Sequence, residues 1–187
     1  MVNALTYTSP NGIELSIITP VLIKNVLTRQ TVKTTAIWDT GATGSVVTKE
    51  VARLLDLKPV SKTMVNGVHG SMESNVYNVN ITLNNDQITQ DALVTECVNL
   101  SDDNSIGMLI GMNIITLGDF CITNHNGRTT MTFRVPSLEK VDYVSEIGEH
   151  NKIFKAYNTQ KKHGNEKCPC GSGKNFKNCH GKSKYFR

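Results

Sequence analysis

No stretch of this chain joins a basic start to a long apolar run, so no secretion signal is read and a soluble, cytoplasmic protein is expected. The longest apolar stretch, residues 108–117, is broken by Gly111 and Asn113. It falls well short of the ~20 apolar residues that a membrane-crossing helix needs, so no membrane partner is expected. Cysteine is scarce and odd in number, which argues against a disulfide framework. Of the five, Cys97 and Cys121 stand alone and read as buried apolar fillers. Cys-x-x-Cys is missing, and with it the usual mark of a redox pair. Repeats longer than a few residues are missing too. Acidic residues are nearly absent from the end of the chain: residues 161–187 hold eight Lys/Arg against Glu166, a balance of +7. Residues 1–160 keep 12 basic against 15 acidic residues, or −3, so body and tail read as parts with different jobs.

What is present begins with β structure. Residues 13–19 and 31–38 are rich in Ile, Val and Thr, as strands prefer. Residues 76–83 read as a partly buried strand, and Asn84-Asn85-Asp86 turns the chain into another near 91–98. Residues 120–123 and 129–135 flank Asn126-Gly127, a hairpin signal because both residues tolerate positive φ. Two short helical segments are expected in the body. One covers 48–55, with Thr48 as cap and Val51, Leu54 and Leu55 on one face. The other is a turn after Gly111. Pro136 ends the last strand, giving a mainly β domain over 1–136. Residues 137–163 form a connector, amphipathic and helical to about 157, then a polar linker. A small module occupies 164–187.

The chemistry-bearing motif is Asp39-Thr40-Gly41. Alone it reads better as a turn in a β domain that only binds or dimerises. Its context is more specific. Ala36-Ile37-Trp38 leads in as an apolar strand, and the small residues 42–47 follow. Gly41 lets the backbone turn tightly and a substrate approach closely. Met108-Leu109-Ile110-Gly111, with Asn113 two residues on, can pack beneath an active-site loop. Between them Asn66, Gly67, Val68, His69 and Gly70 form the tip of a hairpin able to act as a lid.

This order resembles the retropepsin-like aspartic proteases over roughly residues 10–135. The resemblance implies a closed β-barrel half-lobe that forms a homodimer. It makes Asp39 the catalytic carboxylate, Thr40 a hydrogen-bonding residue beneath it across the dimer, and Gly41 a neighbour of the substrate backbone. Residues 64–74 become the flap, and Leu109, Ile110, Gly111 and Asn113 its active-site support. The implied activity is hydrolysis of peptide bonds in peptide or protein substrates, with no cofactor for catalysis. The chemistry needs two carboxylates, and no second Asp-Thr/Ser-Gly occurs. The second must then come from another copy of the chain. A rival reading keeps the fold as a non-catalytic, peptide-binding dimer. Thr43 stands where many viral members carry an acidic residue.

The tail places Cys168, Cys170, Cys179 and His180 within thirteen residues, a donor set suited to structural zinc. Gly171 and Gly173 permit the tight loop, and Phe176 and Tyr185 are read as its mini-core. The segment 166–182 resembles the SEC-C motif. Its lysines suit a protein partner; nucleic acid is the alternative, and would bind with a steep salt dependence. His69, His125, His150 and His163 read as exposed loop or connector histidines.

Overall fold

The computed structural model describes residues 1–67, 70–159 and 164–182. The chain divides into two compact units, Met1–Leu138 and Glu139–Arg187. No helix among the described residues is long and apolar enough to cross a membrane.

The first unit runs β1 (Asn3–Thr8), β2 (Ile17–Asn25), β3 (Thr31–Trp38), β4 (Ser45–Thr48), α1 (Lys49–Leu54), β5 (Ser61–Gly67) and β6 (Gly70–Leu83). It continues through β7 (Thr89–Cys97), β8 (Ile106–Ile110), α2 (Met112–Ile115), β9 (Asp119–Thr123) and β10 (Thr130–Val135). Six strands close into a barrel in the order β2-β3-β8-β4-β7-β6, with β6 pairing back onto β2. Alternation places one side of each strand inside. In β2 the inward set is Ile17, Thr19, Val21, Ile23 and Asn25, and in β6 it includes Val79, Ile81 and Leu83. Strand β8 has neighbours on both edges, parallel to β3 and antiparallel to β4, and reads as a near-continuous apolar run. A second sheet, β1-β10-β9, adds Leu5, Met131 and Phe133 to the same core.

Several local signals hold. Thr48 Oγ1 accepts a hydrogen bond from Val51 N at 3.3 Å and so starts α1. The β9–β10 turn places Asn126 at φ 54° and Gly127 at φ 68°. Others are corrected. The first expected strand moves from 13–19 to Ile17–Asn25, because pairing with β3 and β6 carries it through Pro20. Strand β1 carried no clear signal of its own and exists through its ladder with β10. Leu54 is exposed, and Ala52 takes its place on the buried face of α1. Cys97 and Cys121 are half-buried rather than core.

In the second unit, α3 spans Tyr143–Thr159 and precedes a small hairpin held by a bridge between Lys167 and Asn175. Among its described residues only Cys168, Phe176 and His150 are buried. His150 thus departs from the exposed position expected of it, since α3 lays it against the hairpin's His180.

Candidate functional site

Asp39 follows directly on β3, and its position is set from beneath. Its backbone N donates to Ile110 O at 2.9 Å, continuing the β3–β8 pairing one residue past the strand. Gly41 N donates to Asp39 Oδ1 at 2.7 Å, which anchors one carboxylate oxygen and leaves the side chain half-buried. Thr40 and Gly41 are exposed beside it. The preceding Trp38 is buried. Its indole N–H donates to Thr19 Oγ1 at 2.9 Å, and its ring stacks on Phe120 at 5.5 Å and meets Phe133 edge-on at 5.3 Å. The carboxylate therefore stands on a rigid aromatic base.

The loop after Asp39 is clamped to the start of α2. Met112 N donates to Ala42 O at 2.8 Å and Asn113 N to Thr43 O at 3.1 Å. Ser45, buried in β4, donates from Oγ to Asn113 Oδ1 at 2.7 Å and accepts from Gly111 N at 3.0 Å. Asn113 Nδ2 reaches Leu93 O at 3.3 Å. Gly111 is required by proximity: a Cβ there would lie 2.4 Å from Gly44 O and 3.0 Å from Ala42 O. Leu109 and Ile110 pair with Ile37 and Trp38 across the parallel ladder, so the structure brings Asp39, Gly111 and Asn113 into one assembly.

A depression of about 280 Å³ opens at Asp39, lined by Leu15, Ile17, Ile37, Thr40, Phe120 and Ile122 among others. Leu15 is fully exposed on its rim. The expected flap is a β5–β6 hairpin in register from Ser61↔Val76 to Gly67↔Gly70. Val68 and His69 lie outside the described residues, and Gly70 has φ +109°.

The tail forms the other cluster. Cys168, Cys170, Cys179 and His180 place their donor atoms within 4.8 Å of one another. Cys168 Sγ lies 3.2 Å from His180 Nδ1, Cys179 Sγ lies 3.4 Å from the same nitrogen, and Cys170 and Cys179 Sγ are 3.6 Å apart. A tetrahedron with ~2.3 Å Zn–S and ~2.0 Å Zn–N bonds has edges of about 3.5–3.8 Å, so the donor set fits zinc. The loop is shaped for this, with Gly171 at φ 79° and Gly173 at φ 73°. Cys168 N donates to Lys174 O at 2.8 Å, and Phe176 N to Glu166 O at 2.8 Å, closing the hairpin around the ligands.

A family model described as aspartyl protease matches residues 20–114, just over half of the 187-residue chain. The chain belongs to the aspartyl protease family. A second model, the SEC-C motif, matches residues 165–182. Among solved structures, this chain is similar to a retropepsin-like aspartic protease from Rickettsia conorii, with 14% identity over 72% of this chain and 94% of that one, at a TM-score of 0.45. It is also similar to EIAV protease complexed with the inhibitor HBY-793, at 22% identity, 57% and 90% coverage and a TM-score of 0.40. The retroviral protease-like domain of Ddi1 from Leishmania major aligns at 14% identity, 67% and 97% coverage and a TM-score of 0.37. Among curated proteins none matches this chain.

Two contributors to the Asp39 assembly escaped the motif reading. Ser45 looked like one more small residue after the Asp-Thr-Gly turn, and nothing local marks it as the link between Gly111 and Asn113. Thr19 gave no sign that it holds Trp38, although a buried tryptophan does need a partner for its N–H.

Proposed function

We propose that this aspartyl protease is an endopeptidase whose active site forms between two copies of the chain, each supplying Asp39. The observation that carries this reading is the placement of one Asp-Thr-Gly carboxylate on a loop clamped from below by Ile110, Met112 and Asn113. Two such carboxylates brought about 3 Å apart share one proton, as is established for the aspartates of aspartic proteases. The ionised one takes a proton from a water that attacks the scissile carbonyl; the protonated one gives its proton to that carbonyl oxygen. Gly41 N–H fixes Asp39 Oδ1, so the carboxylate enters the dyad already oriented. The β5–β6 hairpin closes over an extended peptide.

The tail binds zinc in this reading through Cys168, Cys170, Cys179 and His180, and the metal supplies cross-linking rather than catalysis. Zinc stabilises a module with almost no apolar core and presents its lysines to an acidic protein partner. In this reading the protein works in a reducing, cytoplasmic setting, where the three tail thiols stay available to the metal.

The test combines sedimentation with cleavage of a diverse peptide library by wild type and Asp39→Asn between pH 4 and 7. Dimers that cleave as wild type and not as the variant are expected. Equal cleavage by both, or none by a well-formed dimer, removes the reading.

A further inference from the structure

The motif that matches the tail begins at residue 165, yet the residue packed against its histidine lies well before that point. Helix α3 exposes Val144 at 85%, Ile147 at 42% and Phe154 at 42%, and none of its described apolar side chains is buried. Its one buried described side chain is His150. The His150 ring sits 6.1 Å from the His180 ring at an interplanar angle of 69°, an edge-to-face arrangement. His180 meanwhile turns Nδ1 toward Cys168 and Cys179, so the far edge of its ring is directed away from the sulfurs. Glu146, Glu149, His150 and Ile153 from α3 line one cleft of about 530 Å³ together with Lys174, Asn178, Cys179 and His180. Helix and ligand loop thus share their packing.

We infer that His150 is a positioning residue of the metal centre: its ring holds the plane of His180 for coordination, and the metal in turn docks α3. This rests on the reading that the tail binds zinc. It extends the metal module from the matched motif to α3 and makes the helix a metal-dependent element. A ligand histidine on a short loop has freedom about χ1 and χ2, and a planar neighbour against its ring removes part of it. Residues outside the ligand set that orient a ligand typically change metal affinity 10–100-fold when removed.

The experiment uses the full chain and four proteins: wild type, His150→Ala, His150→Phe and Asn151→Ala as an exposed control on the same helix. Zinc affinity is measured by chelator competition. Cobalt-substituted protein gives the d–d absorption bands, which respond to ligand geometry. Hydrogen exchange of α3 amides is compared with and without metal. Expected are stoichiometric zinc in wild type, a 10–100-fold loss in His150→Ala with shifted cobalt bands, and recovery of most of that loss by the planar Phe. Chelation should raise exchange across α3 and leave the barrel strands unchanged. Wild type that takes up no zinc removes the metal reading itself. Wild type that binds zinc while His150→Ala binds it equally well, with identical cobalt bands, overturns the inference. So does equal weakening by Ala and Phe, or an α3 protected alike with and without metal.

Discussion

Ser45 Oγ joins two residues that follow the neighbouring strand β8, donating to Asn113 Oδ1 at 2.7 Å while accepting from Gly111 N at 3.0 Å. Ser45 is 1% exposed, so neither bond is available from water. Removing the hydroxyl leaves a buried amide N–H without its acceptor, a cost of about 1–3 kcal/mol. Ser45→Ala should therefore lower the urea midpoint without changing the slope of unfolding, and should lower peptide cleavage by loosening the loop under Asp39. An unchanged midpoint would show that the hydroxyl is not a support.

Asp39→Asn tests the chemistry apart from the scaffold. The exchange is nearly isosteric, and the amide can still accept from Gly41 N. Dimer mass and thermal midpoint should stay close to wild type, while cleavage falls to background. Specific activity of the wild type should rise with protein concentration and level off once the dimer dominates. Activity per chain that is flat over dilution through the monomer range would contradict a shared site.

Asp119 closes the end of the β9–β10 hairpin. Hydrogen bonds from Ser137 Oγ and Leu138 N, with the Arg134 guanidinium, hold its carboxyl well below the usual range. A depressed carboxylate contributes stability at pH values above its unfolded pKa of about 4, and the contribution fades as pH drops below that. Wild type should lose stability in urea between pH 4 and 2 more steeply than Asp119→Asn, which is weaker from the start at neutral pH. Parallel curves for the two proteins would count against the assignment.

Burial pushes the Cys97 thiol up to about 11, with the nearby Glu96 charge adding to it. At pH 8 only about one thiol in a thousand is then ionised, against roughly a quarter of a free cysteine with pKa ~8.5. Alkylation of Cys97 by iodoacetamide, followed by peptide mass spectrometry, should run about two orders of magnitude slower than for an unhindered thiol. Labelling at the free-thiol rate would show an open position.

Much of the site was legible because its signals are local. Residues 31–38 combine β-branched residues with a terminal tryptophan, and Asp39 follows on the strand end. The cysteine and histidine spacing of the tail is equally self-contained. What was hidden depends on distant partners. Pro20 argues locally for a strand end, but two flanking ladders carry β2 to Asn25. Ser45 acquires its role from residues 66 and 68 positions away. His150 looks like a polar position on a connector until α3 meets His180. Burial created by such meetings leaves no trace in a window of a dozen residues.

The insertion of β8 between β3 and β4 also sets an order of events during synthesis. Residues 39–44 are made early, but the amides that cradle them belong to Met112 and Asn113, and the acceptor for Asp39 N is Ile110. Such long loops close slowly. A chain still growing on the ribosome therefore carries the acid long before it carries a place for it. Until residue 113 has emerged, the loop that carries Asp39 lacks the backbone partners that hold it, so its assembly waits on the last third of the barrel.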